Sequence, residues 1–277
     1  MLIKNFKIGN DLPLFLIAGP CQVESEEHSL FMADQIAKLA KKLAINFCYK
    51  SSFDKANRSS LEGPRGIGLE ASCKIFDKIK EIHNCPIISD IHHPDQASLI
   101  APHLDIIQIP AFLSRQTDLI VAAAKTGKVI NVKKGQFLAP EDMLQVLEKA
   151  KAVGNDQVIF TERGTSFGYH NLVNDFRGLK IMKDLGQPVI FDATHSVQLP
   201  GALGKASSGR KDLIETLARS AVATGIAGIF IETHQEPEKA PSDASSMLPL
   251  EFLEPLLIRL KALDEITKSY PYLTIKS

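Results

Sequence analysis

Leu14-Phe-Leu-Ile-Ala-Gly-Pro-Cys-Gln-Val-Glu-Ser25 holds an apolar run, a stop and a helix start. The run from Leu14 to Gly19 shows no polar alternation. A strand of that kind must be covered on both faces, as in a buried parallel sheet. Gly19-Pro20 halts regular structure and leaves the thiol of Cys21 at the tip. Ser25 then reads as a helix N-cap, with Glu26 and Glu27 where the helix dipole favours acids. Leu30, Ile36, Leu39 and Leu43 follow at helical spacing.

The same unit recurs along the chain. Unbroken Val/Ile/Phe-rich runs lie at 14–19, 46–50, 86–91, 106–111, 129–133, 158–161, 189–193 and 228–232. Helical patterns stand between them at Arg115–Thr126, Lys211–Ala223 and Leu250–Lys268. Another opens at Pro140-Glu141-Asp142, where proline needs no N–H donor, and runs on through Leu144, Leu147 and Ala150. Eight strand–helix cycles without a break in composition predict one α/β domain over 1–277, a (β/α)8 barrel of the TIM type. Residues 1–12, with the turn signal Ile8-Gly9-Asn10-Asp11, read as a short β-hairpin or arm before it.

Composition narrows the function. Lys+Arg and Asp+Glu both number 32, so the overall charge points to neither nucleic acid nor an anionic membrane, and any attraction for anions must be local. No apolar run approaches the ~18 residues of a membrane span, and the N-terminus lacks a signal-peptide pattern. The four cysteines (21, 48, 73, 85) show no CxxC spacing, which fits a reducing cytoplasm.

In this architecture chemistry gathers at the C-terminal ends of the strands. All eight runs end in polar or ionisable residues, and two groups separate. Lys50, Lys55, Arg58, Lys133 and Arg163 form a basic cluster suited to phosphate or carboxylate; the competing reading pairs them with Glu162 or Asp54 as solvated rim charges. Cys21, His195, Glu232 and Asp243 follow strands one, seven and eight, which closure of the barrel makes neighbours. A thiolate, an imidazole and two carboxylates suit a divalent metal, with Zn, Fe, Mn and Co all compatible.

Other features read as ordinary. Cys48 sits in an apolar run and belongs to the core, and Cys73 and Cys85 lack partners. His28, His83 and His103 read as surface residues, whereas His92, His93 and His234 fall near the rim. Gly201-Ala-Leu-Gly-Lys205 lacks the spacer and the Ser/Thr of a P-loop. Leu199–Arg210 reads as a long loop that closes over the site.

Several stretches carry a family resemblance: Ile17-Ala-Gly-Pro-Cys21, Lys50-Ser-Ser-Phe-Asp-Lys55-Ala-Asn-Arg-Ser-Ser60, Ile107-Gln-Ile-Pro-Ala-Phe112-Leu-Ser-Arg-Gln-Thr-Asp118, Asn131-Val-Lys-Lys-Gly-Gln136, Thr161-Glu-Arg-Gly164, Asp192-Ala-Thr-His-Ser-Val-Gln-Leu-Pro200 and Ile231-Glu-Thr-His234 with Ser242-Asp-Ala-Ser245. In this order they resemble the 3-deoxy-D-manno-octulosonate 8-phosphate synthases over nearly the whole chain after residue 13. The resemblance implies condensation of phosphoenolpyruvate with D-arabinose 5-phosphate and water, for the inner sugar of lipopolysaccharide. It assigns Lys55, Gln108, Lys133 and Arg163 to phosphoenolpyruvate and Asn57, Arg58 and Ser59 to the sugar phosphate. Lys50 and Phe112 join the substrate contacts, and Arg115 comes from a neighbouring subunit of a homo-oligomer, usually a tetramer. Lys133, His195 and Cys21 are the catalytic candidates. The family divides into a metal-dependent branch with cysteine at position 21 and a metal-independent branch with asparagine, and Cys21 places this chain in the first. Lys55-Ala-Asn-Arg58 separates it from the related synthase that uses erythrose 4-phosphate. A departure is Leu61-Glu-Gly-Pro64 before Arg65, where a His-Ser-aromatic sequence is expected. Two other readings stand beside this one: a non-catalytic sugar-phosphate-binding barrel, and a metal-dependent lyase working in the cleavage direction.

Overall fold

The computed structural model describes residues 1–58, 61, 63–201, 208–270 and 272–273. Eight parallel strands form the barrel: β1 (Phe15–Gly19), β2 (Phe47–Lys50), β3 (Ile87–Asp90), β4 (Ile106–Ile109), β5 (Val129–Lys133), β6 (Val158–Glu162), β7 (Val189–Asp192) and β8 (Gly228–His234). Each pairs with the next in sequence, and β8 returns to β1 with Gly228 opposite Phe15 and Glu232 opposite Gly19. The eight expected runs coincide with these strands to within one or two residues.

The helices are α1 (Glu26–Leu43), α2 (Leu69–His83), α3 (Pro94–Ile100), α4 (Thr117–Lys125), α5 (Met143–Lys151), α6 (Arg177–Asp184), α7 (Ile214–Val222) and α8 (Leu253–Ser269). Ser25 caps α1 by accepting from the backbone N–H of His28 at 3.1 Å. The openings expected at Pro140, Lys211 and Leu250 are 3-10 turns that precede α5, α7 and α8. Helices α2, α3 and α6 were not singled out from sequence spacing.

Alternation within each strand divides the core in two. Leu16 and Ala18 face the helices, whereas Phe15 and Ile17 point into the barrel with Cys48, Ile88, Ile106 and Phe230. The N-terminal hairpin, Leu2–Ile3 against Phe6–Lys7, plugs the bottom with Ile3 and Ile8. Two residues further along the strands the inward series turns polar: Cys48 gives way to Lys50, Ile88 to Asp90, Ile106 to Gln108, Ile190 to Asp192 and Phe230 to Glu232, all buried. A period of two thus carries the apolar interior straight into the site. Gly19 is required at the transition because a Cβ there would lie 1.9 Å from the carbonyl oxygen of Lys50.

Candidate active site

The most connected group at the mouth is Asp192, at the end of β7. Its Oδ1 accepts from the backbone N–H groups of Thr194 (3.1 Å) and His195 (2.8 Å) and from the Thr194 hydroxyl. Its Oδ2 accepts from Lys133 Nζ at 2.5 Å and lies 2.8 Å from His195 Nδ1. Burial alone would raise this carboxyl, but His195 and Lys133 hold it far below the usual range. Lys133 stands over the Phe230 ring, 3.9 Å from its centroid. Burial pushes its pKa below that of a free lysine, and Asp192 offsets this only in part.

Asp192 lies in a sequence motif but was not among the expected site residues. A polar residue ending an inward series was the available signal.

Lys50 was expected among the substrate contacts. Its Nζ donates to Glu232 Oε1 (2.7 Å), Ser52 Oγ (3.0 Å) and the carbonyl of Cys21 (3.0 Å). It therefore holds the ends of β1, β2 and β8 together. Burial raises the Glu232 carboxyl, but Lys50, then His195, outweighs it and keeps the group ionised. Ser52 donates to Asp90 at 2.5 Å, and His92 Nε2 lies 2.9 Å from the other Asp90 oxygen. Burial opposes ionisation of Asp90, yet the His92 contact holds its pKa well below the usual value. Lys55 reaches the same hydroxyl at 3.3 Å.

The competing pairing of the basic cluster with Glu162 or Asp54 is not what forms. Glu162 faces Lys134 at 3.6 Å, and Asp54 takes the fork of Arg65 at 2.9 and 2.6 Å. The Arg65 carbonyl in turn accepts from the Lys55 N–H at 2.7 Å. Arg163 is buried; Nη2 donates to Gln198 at 2.8 Å, and Nη1 has no partner. A guanidinium nitrogen desolvated and unpaired at a barrel mouth fits an anionic ligand. Asn57, Phe112 and Arg115 are exposed, and Arg58 is half-buried with its Nε on the Leu61 carbonyl. Ser59 lies outside the described residues, as do residues 202–207 of the expected closing loop. On either side of that gap, Gln198–Leu199 and Ser208–Gly209 form a short antiparallel ladder.

Of the four metal candidates, Cys21, Glu232 and Asp243 place ligand atoms within 4.8 Å of one another. Cys21 Sγ is 3.0 Å from Asp243 Oδ2. His195 meets this group through Glu232, with Nε2 at 3.6 Å from Oε2. Burial, then Asp243 and Glu232, push the Cys21 thiol well above its usual pKa, so a free thiolate is disfavoured there unless a cation joins it. His195 fits the same role. Its Nδ1 lies 2.8 Å from Asp192 Oδ2, which leaves Nε2, on the Glu232 side, as the nitrogen free for an ion, the carboxylate–histidine arrangement that orients metal ligands. Asp243 reaches the cluster from a left-handed backbone conformation (φ 56°), which aspartate adopts more readily than most residues.

A second group, Glu24, His28 and His234, also lies within 4.8 Å. His28 was expected at the surface; it is half-buried, with its ring centroid 4.7 Å from that of His234 and the planes tilted by 35°. Here the tautomer works against ligation. The Glu236 N–H donates to His234 Nδ1 at 2.9 Å, so Nε2 carries the proton and donates to Glu24 at 3.1 Å.

No helix among the described residues is long and apolar enough to cross a membrane. The DAHP synthetase I family matches residues 2–269 of this chain. The proteins named 2-dehydro-3-deoxyphosphooctonate aldolase of Rickettsia canadensis, Rickettsia typhi and Rickettsia conorii are each 56% identical to it over 266 residues, covering 96% of this chain and 97% of the relative.

Proposed function

The chain belongs to the DAHP synthetase I family, and on that premise we propose that it is a 2-dehydro-3-deoxyphosphooctonate aldolase. It condenses phosphoenolpyruvate with D-arabinose 5-phosphate and water, giving 3-deoxy-D-manno-octulosonate 8-phosphate and inorganic phosphate for the inner sugar of lipopolysaccharide. The observation that carries this reading is the buried Arg163 with an unpartnered Nη1, at the same mouth as Lys55, Lys133 and a thiol–carboxylate cluster. Two anionic substrates need their charge neutralised while two carbons are brought together. Fixed cations in a water-poor cavity do both.

Arg163 and Lys55 bind the phosphate and carboxylate of phosphoenolpyruvate, with Gln108 nearby. Asn57, Arg58 and Ser59 hold the sugar phosphate, and Phe112 lines its approach. Arg115 reaches that phosphate from a neighbouring subunit, which makes the active form a homo-oligomer, a tetramer in our reading. Phosphoenolpyruvate C3 attacks the aldehyde carbon, and positive charge develops at C2. Water adds there, and the resulting tetrahedral centre loses phosphate by C–O cleavage. The aldehyde oxygen takes up a proton and the water gives one up. Lys133, with its pKa lowered by burial and Asp192 against it, is placed to exchange that proton. Asp192 orients both Lys133 and His195. Lys50 keeps Glu232 ionised and in place.

Cys21, His195, Glu232 and Asp243 hold one divalent ion, Zn, Fe, Mn or Co, in a cytoplasmic enzyme of the metal-dependent branch. When bound, such an ion polarises oxygen groups of the substrates. The test is phosphate release from phosphoenolpyruvate with arabinose 5-phosphate or with erythrose 4-phosphate. We expect turnover with the first sugar. Turnover with erythrose 4-phosphate alone assigns the related heptulosonate synthase, and turnover with neither leaves a binding barrel.

A further inference from the structure

Gln198 stands between the basic cluster and the thiol–carboxylate cluster. Its carboxamide oxygen accepts from Arg163 Nη2 at 2.8 Å, and its Nε2 donates to Asp243 Oδ1 at 2.8 Å. The residue is 8% exposed. Arg163 Nη1 is unpaired, and Asp243 Oδ2 lies 3.0 Å from Cys21 Sγ.

An amide is suited to this place because it accepts from a cation and donates to an anion at the same time. A carboxylate would repel Asp243, and an ammonium would repel Arg163. The amide plane is rigid, so turning it to suit one partner misdirects the bond to the other. Its backbone is held too. Gln198 pairs with Gly209 in the short ladder, and the Arg210 N–H donates to the Val197 carbonyl at 2.9 Å.

We propose that Gln198 is a positioning residue that couples the anion pocket to the metal cluster. An anion that fixes Arg163 fixes the amide, and the amide then fixes the carboxylate of Asp243 in the orientation that serves the ion. The inference rests on the function proposed above. Such coupling is reciprocal: phosphoenolpyruvate tightens the metal by the same factor that the metal tightens phosphoenolpyruvate.

The experiment measures that factor with Co²⁺, using the cobalt–thiolate absorption of Cys21 with and without phosphoenolpyruvate. Calorimetry of phosphoenolpyruvate on metal-free and cobalt-loaded protein closes the cycle. For the wild type we expect a factor of about 5 or more. In Gln198→Met, which keeps the length and removes both bonds, the factor falls toward one. Gln198→Glu keeps the bond to Arg163 and loses the donor to Asp243. Its added charge raises cobalt affinity, yet the factor is lost as well. That separates a bridge from simple attraction between the two ligands. Thermal melts of both variants check that they fold. A wild-type factor retained in either folded variant overturns the proposal. A wild type that binds both ligands without mutual effect overturns it alone, and one that binds neither overturns the assignment of the site too.

Discussion

At the bottom of the barrel the inward side chains are apolar, led by Phe15, Ile106 and Phe230, and a two-stranded hairpin seals them from water. At the top of the same strands they are Lys50, Asp90, Lys133, Asp192 and Glu232, equally buried. The backbone is alike in both halves, so the contrast separates what burial does for stability from what it does for chemistry. Apolar layers need only fill space. Each buried charge at the mouth needs a named partner, and the group left partly unpaired, Arg163, marks where a ligand belongs.

Substitutions can break or sharpen that contrast. The largest effect is expected from Lys133→Met, which removes the candidate for proton transfer; kcat for phosphate release should fall about 10²–10⁴-fold. A kcat within threefold of wild type would take Lys133 out of the chemistry. At the other end, Ile106→Ala should cost about 2–5 kcal/mol in denaturant unfolding while kcat of the folded protein stays within about twofold. A large loss of kcat there would dissolve the division between the two ends.

Next in size, Cys21→Asn should weaken cobalt binding about 10–100-fold by equilibrium dialysis, a span taken from losses at other metal sites, and leave some metal-independent turnover. Full stoichiometry and affinity in that variant would return Cys21 to the core as an ordinary thiol. Thorough chelation of the wild type should remove activity that added divalent ion restores.

A smaller effect is expected with acid. Asp90 and Asp192 have their pKa values depressed by folding, so their contribution is present above the unfolded value of about 4 and is lost as pH drops below it. Denaturation midpoints taken between about pH 3 and 7 should show a shallower acid loss for Asp192→Asn than for wild type. Ile106→Ala should lower the curve without changing its shape. Parallel curves for wild type and Asp192→Asn would mean that the mouth adds nothing to acid sensitivity. Smallest of all, Ser25→Ala removes the N-cap of α1 and should cost about 1 kcal/mol with no change in KM.

The strands were legible in the sequence because a strand buried on both faces leaves an unbroken apolar run, and each run ended at the depth where chemistry begins. The same reading brought out Cys21, Glu232 and Asp243 together, since closing eight cycles into a ring makes strands eight and one neighbours. Helices were read less completely. The short α3 and α6 offer too few turns for a period to show, and the turns after Pro140, Lys211 and Leu250 tighten before they become α-helix.

What the sequence determined by itself is the order of apolar and polar side chains along each strand, and with it the barrel and the end that carries the chemistry. Which charge answers which was decided by tertiary structure. Lys50 finds Glu232 182 residues away, Lys133 finds Asp192 59 away, and Gln198 finds Asp243 45 away. These pairings follow from strand register and side-chain reach across a closed ring. For that reason the partners of Lys50 could not be read from its place on the strand, and His28 read as a surface residue although the ring of His234 lies against it.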